Sequence, residues 1–340
     1  MSNMQFDRKS DSAFIVDPDR GVGYATIQAA INAAVSAGMT FGNPATIKIN
    51  PKSTPYTENL TLYNGIELVG QSSSVGSAFN FPEIIGNHVL SYSGPTTFKT
   101  SNYAISGLNF KSTTASPIFT IAGGAGDEIS FMAGFCYFKK EGAVTGPLIS
   151  VDNPESLTQL VFDECQFRAE DAGASISMAA TNSANVVCNF CGALLTGLAQ
   201  FADVQGAILG IDSCYLAADN LLIYTASTGS VFVNQSSIGT DIGTILCDLR
   251  SSVPSAFLST ALIMNGAGPN VMLDLTSAPV ASGVLARNCD FADASPGGTG
   301  KAVKAGAFKA FVHGSNTYDE PDVTTGTVLV DTGVAPVLVP

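Results

Sequence analysis

The residues best placed for chemistry lie two positions ahead of a recurring phrase, a small residue or cysteine followed two places later by a large apolar one. Counting back from Cys165, Cys191, Cys214, Ser236 and Cys289 gives Asp163, Asn189, Asp212, Asn234 and Arg287. If successive phrases stack one strand apart, Asp163 and Asp212 stand roughly 9–10 Å apart with Asn189 between them. That reaches the upper end for two carboxylates acting as acid and base across a glycosidic bond. The same residue types suit a tight corner, where Asn and Asp side chains bond to nearby backbone. The corner is the expected role, so no catalytic residue is assigned, and Asp163 with Asp212 stand as the weaker alternative.

Other chemistries lack their parts. Glu67, Glu83, Asp127 and Glu128 fall near loops and form no pair. His88 and His313 are far apart, outside any triad or metal context, and are expected at the surface or at coil edges. Cys188-Asn-Phe-Cys191 has metal-like spacing but no second pair or histidine nearby, so neither a metal nor a cofactor is expected. Gly123 to Gly126 and Gly266 to Gly268 lack the lysine and following helix of a phosphate loop and read as turns. There is no Trp, which leaves Tyr56, Tyr63, Tyr92 and Tyr103 as the expected exposed rings for a sugar. A net charge of −13 argues against a nucleic-acid surface, and Lys301, Lys304 and Lys309 read as a solvated edge. No run approaches the ~18 apolar residues of a membrane span.

The phrase also sets the architecture. Leu108-Asn-Phe110 precedes Cys136 by 28 residues; Cys165, Cys191, Cys214 and Ser236 follow at intervals of 29, 26, 23 and 22. Cys289 lies a further 53 residues on, two periods with a degenerate copy expected near Ile263 to Asn265, and Asn316-Thr-Tyr318 follows after 27. Periods that drift in this way suit a parallel β-helix, in which strands stay in register while corner loops vary in length. Runs such as Leu160 to Phe162, Ala207 to Ile211, Ser230 to Val233 and Gly283 to Leu285 read as its short strands. The seven cysteines, an odd number, then become small reduced side chains stacked inside the coils. Residues 1–13 are expected to form an N-terminal arm, 14–71 a cap with the first coils, 72–320 the coils and 321–340 an apolar tail. Within the cap, Ile27, Ile31 and Val35 recur at spacings of four, predicting an amphipathic helix with Thr26 as its cap and Gly38 as its stop.

Thr26-Ile-Gln-Ala-Ala-Ile31, Ala45-Thr-Ile-Lys-Ile-Asn-Pro51, Tyr56-Thr-Glu-Asn-Leu60 and Ile66-Glu-Leu-Val-Gly70 together resemble the opening of pectin-esterase-like proteins of the pectin lyase-like superfamily. The resemblance covers residues 14 to 71. It implies an all-β chain, a right-handed single-stranded parallel β-helix with an N-terminal capping helix, as in pectin-degrading enzymes and phage tailspikes. The glutamine-rich and aspartate-bearing strand segments that supply esterase catalysis are missing; Phe162-Asp-Glu-Cys165 belongs to the coil phrase instead. The expectation is therefore a structural, non-catalytic protein on the surface of a phage or virus particle. Its expected partners are other virion proteins or copies of itself, with a trimer implied by the tailspike resemblance, and a host surface polysaccharide. Neither nucleic acid nor membrane insertion is expected. The polar start, Met1 to Asp19, lacks the apolar core of a secretory signal and predicts synthesis in a host cytoplasm. Polysaccharide cleavage by Asp163 and Asp212, and a microbial adhesin or filament subunit, remain the alternatives.

Overall fold

The structure is a computed structural model that describes residues 14–39, 42–75, 78–91, 100–122, 128–142, 145–152, 159–169, 175–180, 184–196, 198–242, 245–265, 271–279, 283–293, 301–304, 310–313, 316–318, 328–331 and 337–339. The expected arm at 1–13, most of the tail at 321–340, and Tyr92, Asp127, Lys309 and both glycine-rich turns lie outside the described residues, as do the side chains of His313 and Lys301. Short strands dominate, joined into sheets of 15, 11 and 10 strands, here sheets 1, 2 and 3, beside one two-stranded hairpin. One coil shows the path: Gln159–Asp163 in sheet 1, Gln166–Ala169 in sheet 2, Ser175–Ala180 in sheet 3, then Asn185–Asn189 back in sheet 1 beside its predecessor. Coil pairs with coil in parallel, and the two ends of sheet 1 turn back antiparallel, Phe14–Asp17 against Val22–Gly23 and Val328–Asp331 against Val337–Val339. This is the parallel β-helix the drifting period predicts.

Alternation along each strand decides what faces inward. In Gln159–Asp163, Leu160 and Phe162 are buried, while Gln159 is exposed and Val161 and Asp163 are partly so. Because coils stay in register, like positions stack. Phe110, Phe138 and Phe167 lie above one another on the inside of sheet 2, with ring centroids 5.7 and 5.3 Å apart and planes within 11° and 16°. Phe162, from sheet 1, meets the edge of Phe167 at 5.6 Å, and Phe167 meets Phe201 from sheet 3 at 5.6 Å. Each such ring pair adds about 0.5–1.5 kcal/mol beyond its area burial.

The turn from sheet 1 to sheet 2 is where the phrase acts. Phe135, Glu164, Phe190, Ser213, Gln235, Ser259 and Asn288 occupy it in successive coils, all left-handed with φ between 48° and 54°, and Gly107 holds the same place at 62°. For non-glycine residues this conformation costs roughly 1 kcal/mol each. The next residue is the thiol or hydroxyl of the phrase, and it points inward. Cys136, Cys165, Cys191 and Cys214 donate Sγ–H to the carbonyls of Gly134, Asp163, Asn189 and Asp212 at 3.2–3.4 Å. Ser236 and Thr260 do the same to Asn234 and Leu258 at 2.7 and 2.8 Å. The ladder is also joined between coils: the N–H of Cys191 donates to Cys214 Sγ at 3.3 Å, that of Cys214 to Ser236 Oγ at 3.0 Å, and that of Cys289 to Asn316 Oδ1 at 2.8 Å. A buried N–H orphaned by the left-handed turn is thus served by the following coil. All seven thiols are free and buried.

The degenerate copy lies at Thr260 to Leu262, three residues before the expected place, with Leu262 in register with Ile238 and Phe291. A β-branched hydroxyl stands where the neighbouring coils carry Ser236 and Cys289, which disguises the phrase.

Helix α1, Ile27–Ser36, begins and stops where the spacing predicts. Thr26 Oγ1 accepts the N–H of Ala29 at 3.1 Å, and Gly38, at φ 81°, follows its last turn. The Glu58 carboxylate accepts the N–H groups of Ile27 and Gln28 at 3.0 Å each, an anion at the positive end of the helix. Ile27, Ala30, Ile31 and Ala34 are buried, and α1 packs against Phe14–Asp17, Ala45–Ile49 and Thr61–Tyr63.

Two expectations fail. Tyr56 and Tyr103 are buried, not exposed, because their rings fill inner positions of their strands; the Tyr56 hydroxyl donates to the carbonyl of Asn50 at 2.6 Å. His88 is fully buried, not at a coil edge. Its Nδ1 accepts the N–H of Leu60 at 3.1 Å, its ring packs 5.3 and 5.1 Å from Phe110 and Phe119, and its Nε2 has no partner. Burial lowers its pKa to about 3.

Two outcomes follow from these contacts. Cys214→Ala orphans the N–H of Cys191 and is expected to cost about 1–3 kcal/mol in urea denaturation, whereas Cys214→Ser, which repeats the Ser236 solution, stays within about 1 kcal/mol of the parent. His88 is neutral when folded and takes a proton when unfolded below its ordinary pKa of 6.5. The unfolded state then binds more protons, so stability is full above pH 6.5 and falls as pH drops toward 3. Between pH 6.5 and 5 the slope approaches about 1.4 kcal/mol per pH unit. Denaturation midpoints across that window should show the slope in the parent and lose it in His88→Gln.

Candidate functional site: the outer rows of the sheets

The row read from the sequence exists. Gly134, Asp163, Asn189, Asp212 and Asn234 pair in register at the end of sheet 1, followed by Leu258 and Arg287. Asp163 and Asp212 therefore face the same way two strands apart, roughly 9–10 Å by strand spacing. Among the described residues neither carboxylate bonds to the corner backbone, the role expected of them; the thiol ladder behind them holds the corner. Asn234 Nδ2 instead donates to Asp212 Oδ1 at 2.6 Å. The geometry permits a water between two carboxylates, but one of the two is engaged by an amide.

A second carboxylate row escaped the sequence reading. On the outside of sheet 3, Asp203, Tyr224, Asp248, Asp274 and Lys304 stand in register. The Asp248 carboxylate takes Nε of Arg250 at 2.9 Å and Nη2 at 2.6 Å, and the guanidinium lies 5.4 Å from the Tyr224 ring. Asp274 accepts the N–H of Thr276 at 2.7 Å and also its hydroxyl. Burial raises the Asp203 pKa, and Gln205 at 3.3 Å opposes the rise. The signal was present as intervals of 21, 24, 26 and 30 between these residues. It was hidden because no shared phrase surrounds them.

Two cationic features were missed as well. Lys111, Lys139 and Arg168 stack outside sheet 2, and Glu141 bridges the two lysines at 2.6 and 2.9 Å, which lowers its own pKa. Lys140, the next residue, turns inward and is buried. Its ammonium donates to the carbonyls of Ala115, Ser116, Gly146 and Pro147 at 3.1–3.4 Å, tying turns of successive coils together. Burial lowers its pKa to about 8.

The middle of the outer face of sheet 1 is different again. Ala104, Met132, Val161, Val187, Gly210, Phe232, Ala256 and Leu285 stand in register through eight coils without a polar side chain. Phe135 and Phe190 at the corner and Tyr215 on sheet 2 are exposed too, at 56%, 61% and 66%. Among the described residues Tyr215, and not Tyr56 or Tyr103, offers an open phenol ring. Among the described residues, no group of three or more His, Cys, Asp or Glu could hold a metal ion, and no helix is long and apolar enough to cross a membrane.

No protein-family profile matches the chain, and no curated protein matches it. Among solved structures it is similar to the tailspike protein of Acinetobacter phage vB_ApiP_P1, with 11% identity and a TM-score of 0.46. The match covers 90% of this chain and 56% of that one, so this chain spans little more than half the length of that protein.

The rows separate by their effect on stability. Asp163→Asn combined with Asp212→Asn keeps the Asn234 contact and is expected to move the urea midpoint by no more than about 0.5 kcal/mol. Lys140→Met strips four carbonyls at the turns of their donor and is expected to cost about 1–3 kcal/mol.

Proposed function

We propose that this chain is a structural, non-catalytic protein of the surface of a phage or virus particle. In this reading it is wound as a right-handed β-helix, the hand that parallel crossovers favour, is closed at its N-terminal end by α1, and works as an assembly of its own copies. The observation that carries the proposal is the unbroken register of the coils, from Ala45–Ile49 through Val328–Asp331 in sheet 1, over a continuous core. Such a stack is a stiff rod. Its backbone groups are paired on both sides of nearly every strand, which resists local opening outside a cell, while the outer rows vary freely. The exposed rings of Phe135, Phe190 and Tyr215 suit the apolar faces of sugars, so contact with a host surface polysaccharide is part of the proposal.

Polysaccharide cleavage by Asp163 and Asp212 keeps one observation in its favour, their shared row at a spacing that admits a water. The amide of Asn234 on Asp212 weighs against it.

Quantitative mass spectrometry of particles purified from the native source tests the main reading. Fixed copy number per particle is the expected result. Recovery only in the soluble fraction, together with release of reducing ends from a capsular polysaccharide that Asp163→Asn abolishes, would replace it with the enzymatic alternative.

A further inference from the structure

We propose that the outer face of sheet 1 is a self-association surface on which a second copy of this chain packs about a two-fold axis. The proposal rests on the reading of the chain as a structural protein that assembles with itself, and it names the face and the contacts.

The face has the anatomy of an interface. Its central row, Ala104 to Leu285, is apolar through eight coils, with Met132 and Phe232 40% and 48% exposed. One flank carries Ser130, Gln159 and Asn185 and then the exposed Ile208, which widens the apolar centre, and the other carries Asp163, Asn189, Asp212 and Asn234 as a polar rim. Charge gathers on the other two sheets, with Lys111, Lys139 and Arg168 outside sheet 2 and Asp203, Asp248 and Asp274 outside sheet 3. Seven strand spacings give the face a length of roughly 34 Å, and a five-residue strand gives it a width of roughly 16 Å. That flat footprint of roughly 550 Å², raised by side-chain relief, approaches the ~800 Å² that each partner brings to an ordinary specific interface.

The occupant is specified by the row itself. A straight apolar row repeating once per strand is matched by a surface with the same repeat, and another copy of the row is such a surface. Phe232 is its one large knob and Gly210, its neighbour in register, its one gap. A Cβ added at Gly210 would meet nothing closer than Val186 and Val187, at 3.7 Å or more, so there is room above the glycine backbone. Place a two-fold axis in the interface, along the strands and midway between these two coils. Phe232 of each copy then sits over Gly210 of the other, Val187 faces Ala256, and Val161 faces Leu285. The same operation applied to the rim sets Asp163 opposite Arg287 and Asp212 opposite Asn234. Neither Asp163 nor Arg287 has an ion-pair partner in its own chain among the described residues. One axis therefore fills the gap and pairs both charges, which is the self-complementarity an isologous contact requires. The arrangement is two-fold, unlike the three-fold one that the tailspike resemblance implies.

Sedimentation equilibrium of the full chain reads the outcome. The parent is expected to be a dimer, and Phe232→Glu is expected to weaken it at least about 30-fold without changing the circular dichroism spectrum. Asp163→Arg and Arg287→Asp should each weaken it about tenfold, and the double swap should restore most of the loss, a rescue that a merely structural role would not give. A parent that is monomeric or trimeric, a dimer indifferent to Phe232→Glu, or a swap without rescue overturns the proposal. A rescued dimer absent from particles upholds this surface and overturns only the particle reading; particles carrying the protein as a monomer do the reverse.

Discussion

The structure depends on a hydrogen bond that the backbone cannot make for itself. Turning from sheet 1 into sheet 2 in two residues needs a left-handed conformation, and that conformation leaves the next N–H facing the interior. A thiol or hydroxyl from the following coil accepts it, while its own proton goes back to the carbonyl two residues earlier. A side chain small enough to stack at strand spacing, apolar enough to be buried and able both to donate and to accept is a cysteine, with serine and threonine as substitutes. Everything downstream follows from the corner. It fixes the register, register aligns Phe110, Phe138 and Phe167 into a stack, and it projects the alternate residues of every strand outward in straight rows.

Reduced, buried cysteines are thus structural members of this fold. Bonds among neighbouring thiols raise the pKa of Cys165, Cys188 and Cys214, and burial does the same for Cys247 and Cys289. A thiol held protonated is a poor nucleophile and a poor metal ligand. The spacing of Cys188 and Cys191, which looks metal-like on paper, places both inside a hydrogen-bonded stack.

Most of the fold was legible because a solenoid writes its repeat into the chain. The corner phrase located the strands and the row of Asp163, Asn189, Asp212, Asn234 and Arg287, and the spacing of Ile27 and Ile31 located α1. What was lost was lost for physical reasons. Thr260 performs the thiol's task with a different side chain, so a search by residue type passes over it. His88 and Lys140 are polar residues sealed in the interior, where a ring cluster and a cage of carbonyls replace water; nothing local in sequence announces either. The central apolar row of sheet 1 and the carboxylate row of sheet 3 were unread because their members share a position in the coil and no common neighbour, so only register brings them together.

The ladder also has a direction. The N–H of Cys191 relies on Cys214, that of Cys214 on Ser236, and that of Cys289 on Asn316, always toward the C-terminus. The two ends of the rod are therefore chemically unequal. Trimming a coil from the front removes a donor and leaves an idle sulfur lone pair, which is easily borne. Trimming one from the back strands a buried amide. Growth by duplication of coils, or loss of them over evolutionary time, meets less resistance at the leading end, and the trailing end needs a dedicated last acceptor. Asn316, whose amide reaches both the N–H of Cys289 and the carbonyl of Ala286, is the last acceptor of the ladder among the described residues, and its longer side chain makes both contacts.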